Sequence, residues 1–180
     1  PADSNVGDNS LSVFRRTEEG ELELMETLTN GVNSANGLGF ANHVAVSPDG
    51  QFVYVTSIDS RTLVVFQHDS TTNGLEEIQV LRDGIDGVTG LRQPSSLSVS
   101  QDGAYCYVAD SMRDVVSICS RDLESTSGEL SFTGITASGE LTATRNLIMS
   151  PDGRHVYVTA EFDDTVTVFE RDSSGSLSHR

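Results

Sequence analysis

The chain repeats itself. Ser47-Pro48-Asp49-Gly50 returns as Ser100-Gln101-Asp102-Gly103 and again as Ser150-Pro151-Asp152-Gly153, at spacings of 53 and 50 residues. Directly after these turns stand Phe52-Val53-Tyr54-Val55, Tyr105-Cys106-Tyr107-Val108 and His155-Val156-Tyr157-Val158. A further segment follows in the same register: Leu63-Val64-Val65-Phe66, Val116-Ser117-Ile118-Cys119 and Val166-Thr167-Val168-Phe169, with a fourth copy at Leu11-Ser12-Val13-Phe14. A unit of this length cannot bury its apolar faces alone, so the repeat points to stacked units, a solenoid or a propeller.

Each unit decodes into four strands. An apolar run such as Val44-Ala45-Val46 leads into the Pro-Asp-Gly turn, where Pro suits the second turn position and Gly accepts a positive φ. The second strand is rich in Val and Tyr, a short polar loop leads to a third over 62–69, and a Ser/Thr/Asn/Gly turn opens a fourth over 75–81. No stretch of helical period intervenes, so the class is all-β and the architecture a β-propeller. Residues 1–42 are read as strands three and four of an incomplete blade plus a loop, 43–94 and 95–145 as blades, and 146–180 as a blade truncated in its fourth strand. About three and a half blades do not close, because propellers need roughly four to eight. The expected complement is the remaining blades of a longer parent chain, in keeping with Pro rather than Met at position 1.

A formal net charge of −16 and a pI of about 4.3 argue against nucleic acid and against an anionic membrane surface, both of which need a basic footprint. No run of 18 apolar residues exists that would span a bilayer. The acidity suits solubility in a salty or extracellular setting, so an extracytoplasmic or secreted location is expected. Cys106 and Cys119 align with core positions of the other units and flank the loop 111–114, which sets them opposite each other on adjacent strands. Such pairs lie about 4.5 to 5.5 Å apart at Cα, within disulfide reach, although two buried free thiols are the expectation. No zinc spacing, nucleophile elbow or phosphate-cradling loop appears, and no cofactor is expected.

Strand alternation sorts the loops onto two faces. The Pro-Asp-Gly and three-to-four turns share the repetitive face; the two-to-three and four-to-one loops share the variable one, where function is expected. Two long four-to-one loops, 29–37 and 82–90, align without a gap at an offset of 53. Asp83 and Asp86 in the second raise a calcium reading, against which stands the fact that two carboxylates are few for that ion. Two charged residues on this face depart from the repeat: Arg145 before strand one of the last unit, where others have Asn42 and Ser95, and Glu161 after strand two, where others have Ile58 and Ser111. Both stand at the same end of the blade, so they can approach each other as a cation with a general acid or base, or as a surface ion pair. His43 sits before strand one of an earlier blade at the same mouth.

The units Val44 to Thr56 and Val156-Tyr157-Val158-Thr159 resemble the Tyr-Val-Thr-Asn repeat, and the chain as a whole is similar to the lactonase-like seven-bladed propellers. That family includes 6-phosphogluconolactonase and the carboxymuconate-lactonising enzyme. The stretch Thr144-Arg145-Asn146-Leu147 through Glu161 to Phe169 is similar to a family blade in which the Arg and Glu belong to the active-site cluster. The resemblance therefore implies catalytic candidacy for Arg145 and Glu161. Thr144 and Asn146 replace the flanking Pro and His of that blade, and Pro94-Ser95-Ser96 lacks the His of the preceding one.

Two functions remain open at this point. The favoured one is a binding scaffold whose variable loop face engages a protein, glycan or small molecule, in keeping with regular repeats and an incomplete catalytic set. The alternative is a lactone hydrolase or lactonising enzyme, with Arg145 holding a carboxylate or phosphate and Glu161 as acid or base. That chemistry needs both groups within about 3 Å of one substrate atom.

Overall fold

The computed structural model of the chain describes residues 9–32 and 35–180. Residues 1–8 of the leading segment and Asn33 and Ser34 of the first long loop lie outside the described residues. Among the described residues all regular structure is strand. β1 (Ser10–Arg16) and β2 (Leu22–Thr29) pair alone. Three antiparallel meanders follow: β3 (Ala41–Val46), β4 (Phe52–Ser57), β5 (Thr62–Asp69) and β6 (Gly74–Arg82); β7 (Pro94–Val99), β8 (Tyr105–Asp110), β9 (Val115–Arg121) and β10 (Leu130–Ala137); and β11 (Thr144–Met149), β12 (His155–Ala160), β13 (Thr165–Arg171) and β14 (Leu177–His179). β7 packs beside both β3 and β11, so the first strands of the three meanders form an inner row.

The repeated Ser-x-Asp-Gly turns share one hydrogen-bond pattern. Ser47 Oγ donates to Asp49 Oδ1 and accepts from Phe52 N at 2.9 Å, while Asp49 Oδ1 also accepts from Gln51 N at 3.0 Å. Ser100 with Asp102 and Ser150 with Asp152 repeat it. Gly50, Gly103 and Gly153 close these turns at φ of 72°, 73° and 70°, a region where Gly has no Cβ penalty.

Packing explains why the strand sequences are apolar nearly throughout. In β4, Phe52 and Tyr54 face the next sheet while Val53 and Val55 face the preceding one; in β8, Cys106 and Val108 face back while Tyr107 and Ala109 face forward. Each core thus lies between consecutive sheets, and a central sheet buries both faces. Full burial of each such side chain contributes about 1.5–3 kcal/mol.

An arginine clamps each of two blade junctions. Arg121, at the end of β9, donates to Asp49 Oδ2 of the preceding sheet at 2.7 Å and lies 5.0 Å from the centroid of Phe52. Arg171, at the end of β13, does the same to Asp102 at 2.7 Å and to Tyr105 at 5.0 Å, and its Nε donates to Tyr107 Oη at 3.0 Å. The two long loops also fold alike. Leu38 N donates to Asn30 Oδ1 at 2.9 Å and Leu91 N to Asp83 Oδ1 at 3.2 Å, at the offset of 53 that the sequence shows.

Candidate functional site

Arg145 lies inside β11 rather than before it. The pairing runs Thr144 to Ala160 and then Asn146 to Thr159, which leaves Arg145 as the extra residue of a β-bulge. Asn42 and Ser95 are skipped in the same way in β3 and β7. The bulge lengthens the strand past the position where the apolar run stops, and bulges re-aim the side chain they carry. In the earlier sheets that side chain reaches the next one: Asn42 Nδ2 donates to the carbonyls of Pro94 and Ser95 at 2.9 and 3.1 Å, and Ser95 Oγ meets Thr144 Oγ1 at 3.4 Å.

Glu161 follows β12, its amide held by the Ala143 carbonyl at 3.1 Å. Arg145 grips Glu161 Oε2 through both Nε and Nη2, so the structure brings the two candidates together. Their side chains are 63 % and 45 % exposed, which makes the pair a weak lock. Exposed pairs contribute about 0–1 kcal/mol, and an incoming anion can displace the carboxylate from the guanidinium at little cost.

His43 is not brought to that pair. It is the third residue of β3, its Nε2 stands 3.4 Å from Ser96 Oγ, and its Nδ1 is buried without a hydrogen-bond partner. Burial lowers its pKa and favours the neutral ring. Ser96 Oγ in turn donates to Asn146 Oδ1 at 2.9 Å and accepts from Leu147 N at 3.2 Å. His43, Ser96 and Asn146 therefore form a polar row along the inner strands, one residue from each. The sequence carried the signal for that row in its offsets of 53 and 50, which set these three in one register. It carried no signal for the bulge, which adds a residue without breaking the polar character of the strand start.

Asp83 does the work that neutral Asn30 does in the matching loop, and it is additionally paired with Arg113 at 3.2 Å. Asp86 sits in a turn at φ 50°. Among the described residues no three His, Cys, Asp or Glu side chains gather as a cation site. Cys106 and Cys119 face each other in register as free thiols.

Residues 3–180 match the family described as lactonase, 7-bladed β-propeller. A 6-phosphogluconolactonase of Bacillus subtilis (strain 168) is 31 % identical over 90 residues, which is 50 % of this chain and 25 % of that protein. The periplasmic gluconolactonase of Pseudomonas aeruginosa superposes with a TM-score of 0.74 at 25 % identity, covering 96 % of this chain and 47 % of that one. A protein of Lactobacillus plantarum superposes at 0.78 with 21 % identity, over 96 % of this chain and 50 % of its own. The chain spans about half the length of these solved relatives.

Proposed function

The chain belongs to the lactonase family of seven-bladed β-propellers, and from that premise we propose that it acts in the hydrolysis of a sugar-acid lactone, with Arg145 and Glu161 as the reacting pair. The observation that carries this reading is their contact at an exposed bulge on the variable loop face. That contact sets the guanidinium and the carboxylate side by side, so one bound lactone can meet both groups. The names of two relatives, a 6-phosphogluconolactonase and a gluconolactonase, speak for this reading over a bare binding scaffold.

The chemistry follows from the two side chains. Arg145 offers a planar fork of donors to the phosphate or carboxylate of the substrate, a geometry that guanidinium matches better than ammonium does. Binding that anion releases Glu161 beside the ring. The Glu161 carboxylate takes a proton from water as the oxygen of that water bonds to the carbonyl carbon. The ring ester bond then breaks, and the proton passes to the departing ring oxygen, leaving the open hydroxy acid. His43, with one nitrogen at Ser96 and the other sealed, is given no step.

The test is hydrolysis of a panel of sugar-acid and muconate-type lactones by the full-length protein and its Arg145→Ala and Glu161→Ala variants, with folding checked by circular dichroism. A loss of at least tenfold in both folded variants, about 1.4 kcal/mol of transition-state stabilisation, is expected. Wild-type protein inert on every lactone, or variants as active as wild type, overturns the reading.

A further inference from the structure

The loop before the third strand ends in the same way in each blade. Its closing residue is left-handed: Asn9 at φ 38°, Arg61 at 56°, Asp114 at 56° and Asp164 at 53°. Asn and Asp suit that conformation better than other residues with a side chain. Two of them also tie one blade to the first strand of the next. Asn9 Oδ1 accepts from Phe40 N and Asp114 Oδ1 from Ala143 N, each at 2.8 Å.

Arg61 breaks this pattern. A guanidinium donates and does not accept, so it cannot receive the amide of Gln93, which corresponds to Phe40 and Ala143. That amide turns instead to Asp110 Oδ1 at 3.1 Å. Asp110 is itself a departure, standing where the other sheets have Ser57 and Ala160. Fully buried, it also accepts from Arg92 N at 2.7 Å, Met112 N at 2.9 Å and Arg113 N at 3.2 Å. An acceptor of the repeat is thus exchanged for a cation, and a buried carboxylate holds the loop in its place.

The exchange borders an open groove of about 310 Å³ on the variable face, lined by Ile58, Asp59, Arg61, Arg92, Gln93 and Met112. Arg92 is a second added cation, where the matching positions are Gly39 and Thr142. Both arginines are exposed, and neither guanidinium makes a hydrogen bond or ion pair among the described residues. Asp59 is the one carboxylate among the lining residues, so the groove is net positive in a chain of charge −16. Asp110 fixes the backbone of Arg92 and Gln93 on one side and of Met112 on the other.

We propose that this groove binds an oxyanion, the phosphate or carboxylate of a small molecule, between Arg61 and Arg92, with Gln93 as a further donor. Guanidinium forks match both groups. Ile58 and Met112 give apolar contact to the rest of the molecule. A residue held in an unfavourable backbone region, with its lost bond made up elsewhere, is the pattern that binding sites show. The groove shares no lining residue with the Arg145–Glu161 pair, so the inference does not depend on the lactone reading.

Titration calorimetry with inorganic phosphate and with citrate tests it, on full-length Arg145→Ala protein so that the Arg145–Glu161 pair contributes no anion contact. One saturable event per chain is expected with at least one probe, and the tighter probe identifies the group. Adding Arg61→Asn or Arg92→Gln is expected to weaken that binding at least tenfold. Arg61→Asn restores the acceptor that Asn9 supplies at this position, so its urea midpoint is expected to be no lower than that of its parent. No saturable binding of either probe, or binding indifferent to both added variants, overturns the proposal. A midpoint lowered by Arg61→Asn overturns it too, because Arg61 is then a structural residue. Anion binding present in wild type and absent from Arg145→Ala assigns the anion to the pair and overturns the groove. Because no step reads lactone turnover, failure here leaves the proposed function to its own test.

Discussion

Arg121 reaches across a blade boundary to Asp49, 2.7 Å away, with its own side chain only 7 % exposed. Partial burial pushes the Asp49 carboxyl up, but hydrogen bonds from Arg121 and Ser47 outweigh that and bring it down to about 2. An unfolded aspartate titrates near 3.9, so the native state binds fewer protons between those values. The stability this carboxylate supplies is therefore complete above about pH 4 and lost as pH falls through about 2. Asp49→Asn is expected to cost about 1–2 kcal/mol at pH 7, a charge-assisted bond discounted for the one-third exposure of the aspartate. Urea unfolding at a series of pH values checks it: the gap between wild type and variant narrows from pH 4 downwards, and a gap unchanged at pH 2.5 refutes the assignment.

Arg145 makes an ion pair of the same chemistry with the opposite consequence. Because that pair is largely exposed, Arg145→Ala is expected to change stability by less than about 1 kcal/mol. Arg121→Ala strips a buried junction of its Asp49 bond and its cover over Phe52, and about 2–3 kcal/mol is expected. Denaturation of the two variants side by side decides it. Equal losses would mean that Arg145 is a structural clamp and not a free binding group.

Gly90 combines a φ of 76° with a Cβ direction that ends 2.3 Å from Ser117 Oγ. Ser117 also donates to the Gly90 carbonyl at 2.8 Å, which holds the long loop against β9. Gly90→Ala is expected to cost about 2 kcal/mol or more, from the left-handed backbone together with the clash. In a Ser117→Gly background the clash is gone but the backbone term stays, so Gly90→Ala is expected to cost less there than in the wild-type background. No cost there would show that φ contributes nothing.

Repetition made much of this fold legible. The Ser-x-Asp-Gly turns mark the first hairpins, and the apolar runs after them mark strands sealed on both faces, because a central blade has two neighbours to pack against. The pairing of Cys106 with Cys119 followed from loop symmetry alone. What stayed hidden was what depends on a neighbouring blade. Arg121 and Arg171 read as charged strand ends until the Asp49 and Asp102 turns of the preceding sheet stand beside them. The Arg145 bulge is likewise invisible, since polar strand starts tolerate an extra residue without a change of pattern. At the candidate site, Arg145 and Glu161 were found as departures from the repeat, whereas Ser96 emerged only as the link between His43 and Asn146.

The facing thiols give a chemical test of the core. Desolvation pushes Cys119 up to about 12 and Cys106 well above its ordinary value, with Cys119 beside it adding to the rise. At pH 8 almost no thiolate is present, and neither sulfur reaches solvent. Native protein is expected to resist iodoacetamide at a rate set by unfolding, and to take two labels per chain once denatured. Prompt labelling of the native protein would mean that the interface between these sheets opens.

Tyr54 and Tyr107 occupy one position in successive blades but differ at the hydroxyl. Tyr107 Oη donates to the Gly175 carbonyl at 2.8 Å and accepts from Arg171 Nε at 3.0 Å. Tyr54 Oη is buried beside the Arg121 guanidinium without a well-formed hydrogen bond among the described residues. Desolvation pushes both phenols up to about 12. Removing the Tyr107 hydroxyl leaves two buried groups unpaired, so Tyr107→Phe is expected to lose about 1–3 kcal/mol. Removing the Tyr54 hydroxyl takes away a group that is already unsatisfied, so Tyr54→Phe is expected to be neutral or stabilising. Urea midpoints of the two variants read the contrast directly. A Tyr54→Phe loss as large as that of Tyr107→Phe would place a hydrogen-bond partner at Tyr54 and make the two clamps equivalent.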